Sequence, residues 1–256
     1  MLGLLILNSL SLQSHSTKSQ KMNSEKIKIE IWSDVVCPFC YIGKKKIEQA
    51  VAKLGAEDKV EITWHSFQLD PDFPADKAIP SMSYLSERKG YPIDQVVAMS
   101  GQLTAQGKAY GIQFNFDSAL TFNTLNAHRL IQWAKTQHKA NELKEAFMIA
   151  YFSNGTDLTL EENVLSVVKK AGLDEEAAAN VLASSDYLPE VNADILRAQK
   201  LGISGVPYFL INGSQPIYGA QSDAVFENAL AAALKNLKTA DPANGEGVCL
   251  PSGECK

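Results

Sequence analysis

Between residues 27 and 69 a period-2 run, a Cys-x-x-Cys, a period-3.6 run and a second period-2 run follow in order, and that order constrains the fold most. Ile27, Ile29 and Ile31 alternate with Lys28, Glu30 and Trp32, which predicts a strand. Ile47, Ala50, Val51 and Leu54 then fall at i, i+3, i+4 and i+7, one face of a helix that stops near Gly55. Residues 60–69 (VEITWHSFQL) alternate again as a second strand. Strand, helix and strand at this spacing make a βαβ unit, with parallel strands and a right-handed crossover. Cys37-Pro38-Phe39-Cys40 sits where the first strand turns into the helix.

After Pro71 helical periods take over, at 95–110, 121–139, 141–152, 160–171, 175–184 and 188–201, with Gly111, Gly155, Gly172 and Gly202 as stops. Strand character resumes at Val206-Pro207-Tyr208-Phe209-Leu210-Ile211 and ends in the turn Asn212-Gly213. A partner strand around 216–219 would close a hairpin. Ser222 could cap a last amphipathic helix through Val225, Phe226, Ala229, Leu230, Ala233, Leu234 and Leu237. The organisation expected is an extension over 1–24, an α/β domain made of 25–75 and 202–238, an inserted helical domain over 76–201, and a tail over 239–256.

With 256 residues, 45% hydrophobic and 21% charged, the chain can bury a real core without staples. Its net charge of −5 gives no basic footprint for nucleic acid, and no apolar stretch is long enough for a bilayer. Residues 2–12 (LGLLILNSLSL) are apolar, but no Lys or Arg precedes them and no clear cleavage site follows. The functional protein is expected to begin near Met22 and to work in the cytoplasm; export through the apolar stretch is the alternative.

Four cysteines form two local pairs, Cys37 with Cys40 and Cys249 with Cys255. Closing so short a loop removes little chain entropy, which suits switching better than cross-linking. At a helix start, Cys37 would meet free backbone N–H groups and the positive end of the helix dipole, which favour thiolate. Cys40, one turn in, would be shielded and higher in pKa, as suits a resolving thiol. Pro38 is tolerated in the first helical turn, and Phe39 offers Cys37 no hydrogen bond. The competing readings are half of a zinc site, completed by Cys249 and Cys255, or two structural thiols. The x5 spacing of the tail pair exceeds the usual zinc spacing, and the strand–helix context favours redox chemistry. Val206-Pro207 opens a strand, where proline is allowed and either peptide isomer is possible.

Cys37-Pro-Phe-Cys40 with Tyr41-Ile-Gly43, Gly205-Val206-Pro207-Tyr208-Phe209 and Gly219-Ala220-Gln221 together resemble the DsbA-like thioredoxin-fold oxidoreductases. Trp32-Ser33-Asp34-Val35-Val36 before the cysteines, with Asn123-Thr124, Ala127-His128-Arg129-Leu130 and Ala150-Tyr151-Phe152, is similar to the FrnE subgroup. The resemblance spans 27–238. It implies a thioredoxin-like α/β fold with a large all-helical insertion, Cys37 as nucleophile, Cys40 as resolving thiol, and Pro207 as a cis proline facing them. It also implies a strand edge open to extended peptide. One departure stands out: the family's acidic residue, six positions before the first cysteine, is Ile31 here. Glu30 points to the opposite face and takes no such role. Asp34 reads as a loop or capping residue.

Pro38, Phe39, Val206, His128 and Asn123 are the expected lining of the site, although a buried, hydrogen-bonded role is the better reading of His128 and of His65. FrnE-type proteins carry a tail cysteine pair of this general kind, so Cys249-Leu-Pro-Ser-Gly-Glu-Cys255, with its turn-forming centre, is either a second redox pair or incidental. The expected activity is thiol–disulfide exchange as a protein disulfide oxidoreductase or isomerase, on protein or small-thiol disulfides with glutathione among them, and without a bound cofactor or metal. The rivals are a glutathione-dependent enzyme of the kappa-class or 2-hydroxychromene-2-carboxylate isomerase type, whose members typically have Ser for the first cysteine, and a zinc-binding module.

Overall fold

The first alternating run becomes the interior of a mixed sheet because its isoleucines have apolar cover on one face and its Trp and Glu on the other. In the computed structural model, which describes residues 26–239, strand β1 (Ile27–Ser33) pairs in parallel with β2 (Val60–Ser66). On its other edge it pairs antiparallel with β5 (Tyr208–Ile211), which is followed by β6 (Gln215–Tyr218), giving the order β2-β1-β5-β6. The hairpin turns on Asn212 and Gly213, both at positive φ. The N-terminal stretch 1–25 and the tail with Cys249 and Cys255 lie outside the described residues.

Helix α1 (Pro38–Lys53) crosses from β1 to β2 as the βαβ pattern requires, and α9 (Asp223–Thr239) packs beside it on the same face. That face buries Ile27, Ile29, Ile31, Phe209, Ile211, Phe226 and Leu230. The opposite face carries Trp32, Tyr208 and Leu210 and is covered by α8 (Leu188–Lys200).

Two short strands, β3 (Ile79–Pro80) and β4 (Leu120–Thr121), pair as a ribbon within the helical block. Its helices are the short α2 (Ser81–Ser83), which runs into a π-helical turn, Tyr84–Arg88, then α3 (Ile93–Lys108), α4 (Leu125–Lys135), α5 (Ala140–Phe152), α6 (Glu161–Lys170) and α7 (Glu175–Ala183). The helix expected over 121–139 is shorter at both ends. Thr121 is taken by the ribbon, and His138 adopts a positive φ that ends the helix.

Buried polar groups tie the insertion to the sheet. Asp194 of α8 accepts from the backbone N–H of Ser66 (2.8 Å), from His65 of β2 and from Gln132 of α4, with Lys135 at 3.7 Å. On the same face Glu30 binds Arg197 of α8 and His65, while Trp32 stacks on His65 at 4.4 Å. Glu30 therefore lies on the sheet face away from α1, as its register predicts.

Candidate active site

Cys37 is the N-cap of α1 and Pro38 its first residue; no acidic side chain sits in the first turn, so nothing there offsets the helix dipole. The carbonyl of Cys37 accepts from the backbone N–H of Cys40 (3.0 Å) and of Tyr41 (3.3 Å), which fixes one sulfur at the helix end and the other a turn inside. Both cysteines are free thiols and both are buried. The Val206-Pro207 peptide is cis, and the Cys37 thiol points at the Val206 carbonyl oxygen, 3.6 Å away. A Cβ on Gly43 would come within 3.0 Å of the Phe209 ring and 3.1 Å of Pro207, so glycine is what lets α1 lie against the proline.

Asp34 is a structural bridge. Its carboxylate accepts from the N–H of Val35 (2.8 Å) and of Leu69 (2.8 Å) and meets His128 Nε2 at 3.1 Å. This agrees with a loop role for Asp34 and a buried, bonded role for His128. Asn123 holds the chain after β2: it accepts from Gln68 (3.3 Å) and from the N–H of Leu125 (2.9 Å), and donates to the Phe73 carbonyl oxygen (2.5 Å). The expectation that His128 and Asn123 line the site needs correcting. Both stand one layer behind it, because each spends its polar atoms on the loops that shape the wall.

A cavity of about 350 Å³ opens beside Cys37, between α1 and the inserted block. Pro38, Phe39 and Val206 line it, together with Tyr84, Leu103 and Phe116, while Cys40 does not. Its surface is largely apolar. Tyr151 of α5 also faces it, with its hydroxyl 3.1 Å from Thr121 Oγ1, and burial pushes that phenol up. At the rim Asp70 is held by Arg88 (2.8 Å), Tyr84 (3.0 Å) and Lys89 (3.2 Å), and the Arg88 guanidinium pulls its carboxyl down to about 2.

The two thiols, one turn apart at the start of α1, influence each other's titration. The Cys40 hydrogen bond, burial and the Cys40 charge hold Cys37 well above the ordinary thiol range, with Asp34 adding to the effect. Cys40 stands below that range: the Cys37 thiol, the nearby Ser33 hydroxyl, the Asp34 backbone and the Lys144 charge outweigh its burial. The groups around the inner sulfur thus favour charge there, while the helix end favours it on the outer one. The helix-end argument leaves out the buried cation Lys144, whose charge acts on Cys40.

That cation was not foreseen. Lys144 lies on the α5 face that also carries Phe147, Met148 and Tyr151, at i, i+3, i+4 and i+7. A lysine in an otherwise apolar stripe was the available signal. Among the described residues no cluster of three His, Cys, Asp or Glu side chains is arranged to hold a metal.

A profile of the DSBA-like thioredoxin domain matches residues 28–231. The chain belongs to the DSBA-like thioredoxin domain family. A probable DsbA oxidoreductase from Streptomyces coelicolor is 33% identical, with 90% of this chain and 98% of that one covered and a TM-score of 0.79. The uncharacterised Bacillus subtilis protein YwbO is 25% identical over 80% of this chain and 96% of its own. A 2-hydroxychromene-2-carboxylate isomerase shares the fold at 16% identity and a TM-score of 0.59, covering 84% and 98% of the two chains. A DsbA-like fold is therefore common to thiol oxidoreductases and to an isomerase of a small molecule, and the residues of the site must separate them. No helix among the described residues is long and apolar enough to cross a membrane.

Proposed function

We propose that this protein is a FrnE-type thiol–disulfide oxidoreductase or isomerase of protein or small-thiol disulfides, working through Cys37 and Cys40. One observation carries the reading: two free thiols at the start of α1, the outer one facing the Val206 carbonyl at 3.6 Å and lining an open cavity. Cys37 is the nucleophile because it, and not Cys40, is reached from that cavity. As its proton leaves, the Cys37 thiolate attacks a substrate disulfide and releases one substrate thiol. Cys40 then attacks Cys37, closing the internal disulfide and releasing the second thiol; the reverse sequence oxidises a substrate dithiol. Pro207, which has no N–H to donate, keeps a strand edge open beside the sulfurs, where an extended substrate peptide can pair. Glutathione is one candidate small thiol, the cytoplasm is the compartment, and Cys249 with Cys255 form a second pair exchanging with the first.

Insulin reduction and refolding of a scrambled disulfide protein test this: Cys37→Ser should abolish both, and full retention of either would refute the assignment. A second reading, isomerisation of a small apolar molecule with glutathione, draws on the apolar lining of the cavity. It predicts turnover of such a molecule that survives Cys37→Ser, since relatives of that type typically have serine there.

A further inference from the structure

Lys144 is fully buried, with 1% of its surface exposed, in the middle of the apolar face of α5. Its ammonium donates to the Ser33 carbonyl oxygen at 3.4 Å and lies 5.1 Å from the centre of the Trp64 ring. Among the described residues no carboxylate forms an ion pair with it, and its neighbour Glu145 turns to Lys44 and Lys45 of α1. A buried ammonium served by one long hydrogen bond and one ring costs several kcal/mol, and a methionine of similar length would cost nothing comparable. The anion that offsets it must come from the groups around it. These are the sulfurs of Cys40 and Cys37 and the carboxylate of Asp34, with Lys44 opposing. Asp34, held in place by two backbone N–H groups and His128, supplies part of that charge, and the sulfurs are the other acceptors of it.

Ser33 points the same way. Its hydroxyl has no hydrogen-bond partner among the described side chains, and it stands where it favours a Cys40 thiolate. The strand offers Cys40 no carboxylate, since Ile31 is buried between Trp64 and Phe209 in register and Glu30 belongs to the other face.

We propose that Lys144 is a positioning residue of the thiol pair, whose buried ammonium stabilises the Cys40 thiolate and so sets the rate at which Cys40 closes onto Cys37. In that step the Cys40 sulfur bonds to the Cys37 sulfur, the bond from Cys37 to the substrate sulfur breaks, and the proton from Cys40 leaves on the departing substrate thiol. The protein pair is oxidised by two electrons and the substrate disulfide is reduced by the same two. This role presupposes the thiol–disulfide chemistry proposed above.

The test uses the reduced full-length chain and hydroxyethyl disulfide, a neutral probe whose encounter a lost charge does not alter. Acid quenching and peptide mapping follow the mixed disulfide on Cys37 and its conversion to the Cys37–Cys40 disulfide. In Lys144→Met, attack should stay within about twofold of wild type, while closure slows about tenfold and its pH midpoint rises by about one unit. Lys144→Gln, which keeps a hydrogen bond but no charge, should behave like Lys144→Met, and it carries the comparison if the methionine variant does not fold. Closure at the wild-type rate in either variant, or attack and closure slowed by the same factor, would overturn the role of the charge. A wild type inert towards the probe would instead overturn the parent chemistry.

Discussion

At the scale of single residues the site is a problem of where one negative charge settles. Cys37 has the helix end and the cavity, and Cys40 has the hydrogen bonds and the cation. Lys144 couples this to stability. Burial brings its amine down to about 8 from an ordinary lysine value, so between pH 8 and about 10.4 the unfolded chain binds more protons than the folded one. The penalty of the buried charge is therefore present at neutral pH and relieved as pH rises through that window. Denaturant unfolding of wild type and Lys144→Met should show the difference: the wild type gains on the variant by about 1–3 kcal/mol between pH 7 and 10. Parallel pH curves for the two proteins would contradict the lowered amine.

At the scale of elements, the packing of α1 on β5 positions the thiols, and Gly43 permits it. Gly43→Ala gains up to about 1 kcal/mol of helix propensity but forces a methyl against the buried Phe209 ring and Pro207. Overpacking of this kind costs about 1–3 kcal/mol, so thermal unfolding should show a net loss together with slower thiol exchange. Helix α8 is held to the sheet by Asp194, whose carboxyl stays below the usual range against its own burial through His65, Lys135 and the Ser66 N–H. Its contribution is present above about pH 4 and is lost as pH falls through the depressed value. Asp194→Ala should cost about 3–5 kcal/mol at pH 7, and that difference should shrink on acidification. Most of these elements were legible in the sequence, because β1, α1, β2 and the hairpin at Asn212-Gly213 each carry a clean period or turn. The ribbon of β3 and β4 was not, since two-residue strands have no period to read. Lys144 was not either: the periodicity that places it on an apolar face says nothing about the sulfurs that await it across the core.

At the scale of the whole molecule, the inserted block supplies most of the cavity and the cation, while the split α/β domain supplies the thiols and the proline. Each half of the site thus comes from a different part of the chain, which is why local motifs located the cysteines but not their surroundings. The tail belongs to this scale too. Replacing Cys249 and Cys255 together by serine should slow turnover under oxidant without slowing attack by Cys37, measured as disulfide formation in a reduced protein substrate; unchanged turnover would remove the tail from the cycle. The pairing of β1 with β5 has a further consequence during synthesis. Cys37 and Val206 are 169 residues apart, so at about 5–20 residues per second the ribosome delivers the thiols roughly 8–34 s before the strand that shelters them. Throughout that interval the nascent chain exposes a reactive pair with no partner strand, and it depends on the reducing power of its surroundings, or on a chaperone, to reach the end of translation unlinked.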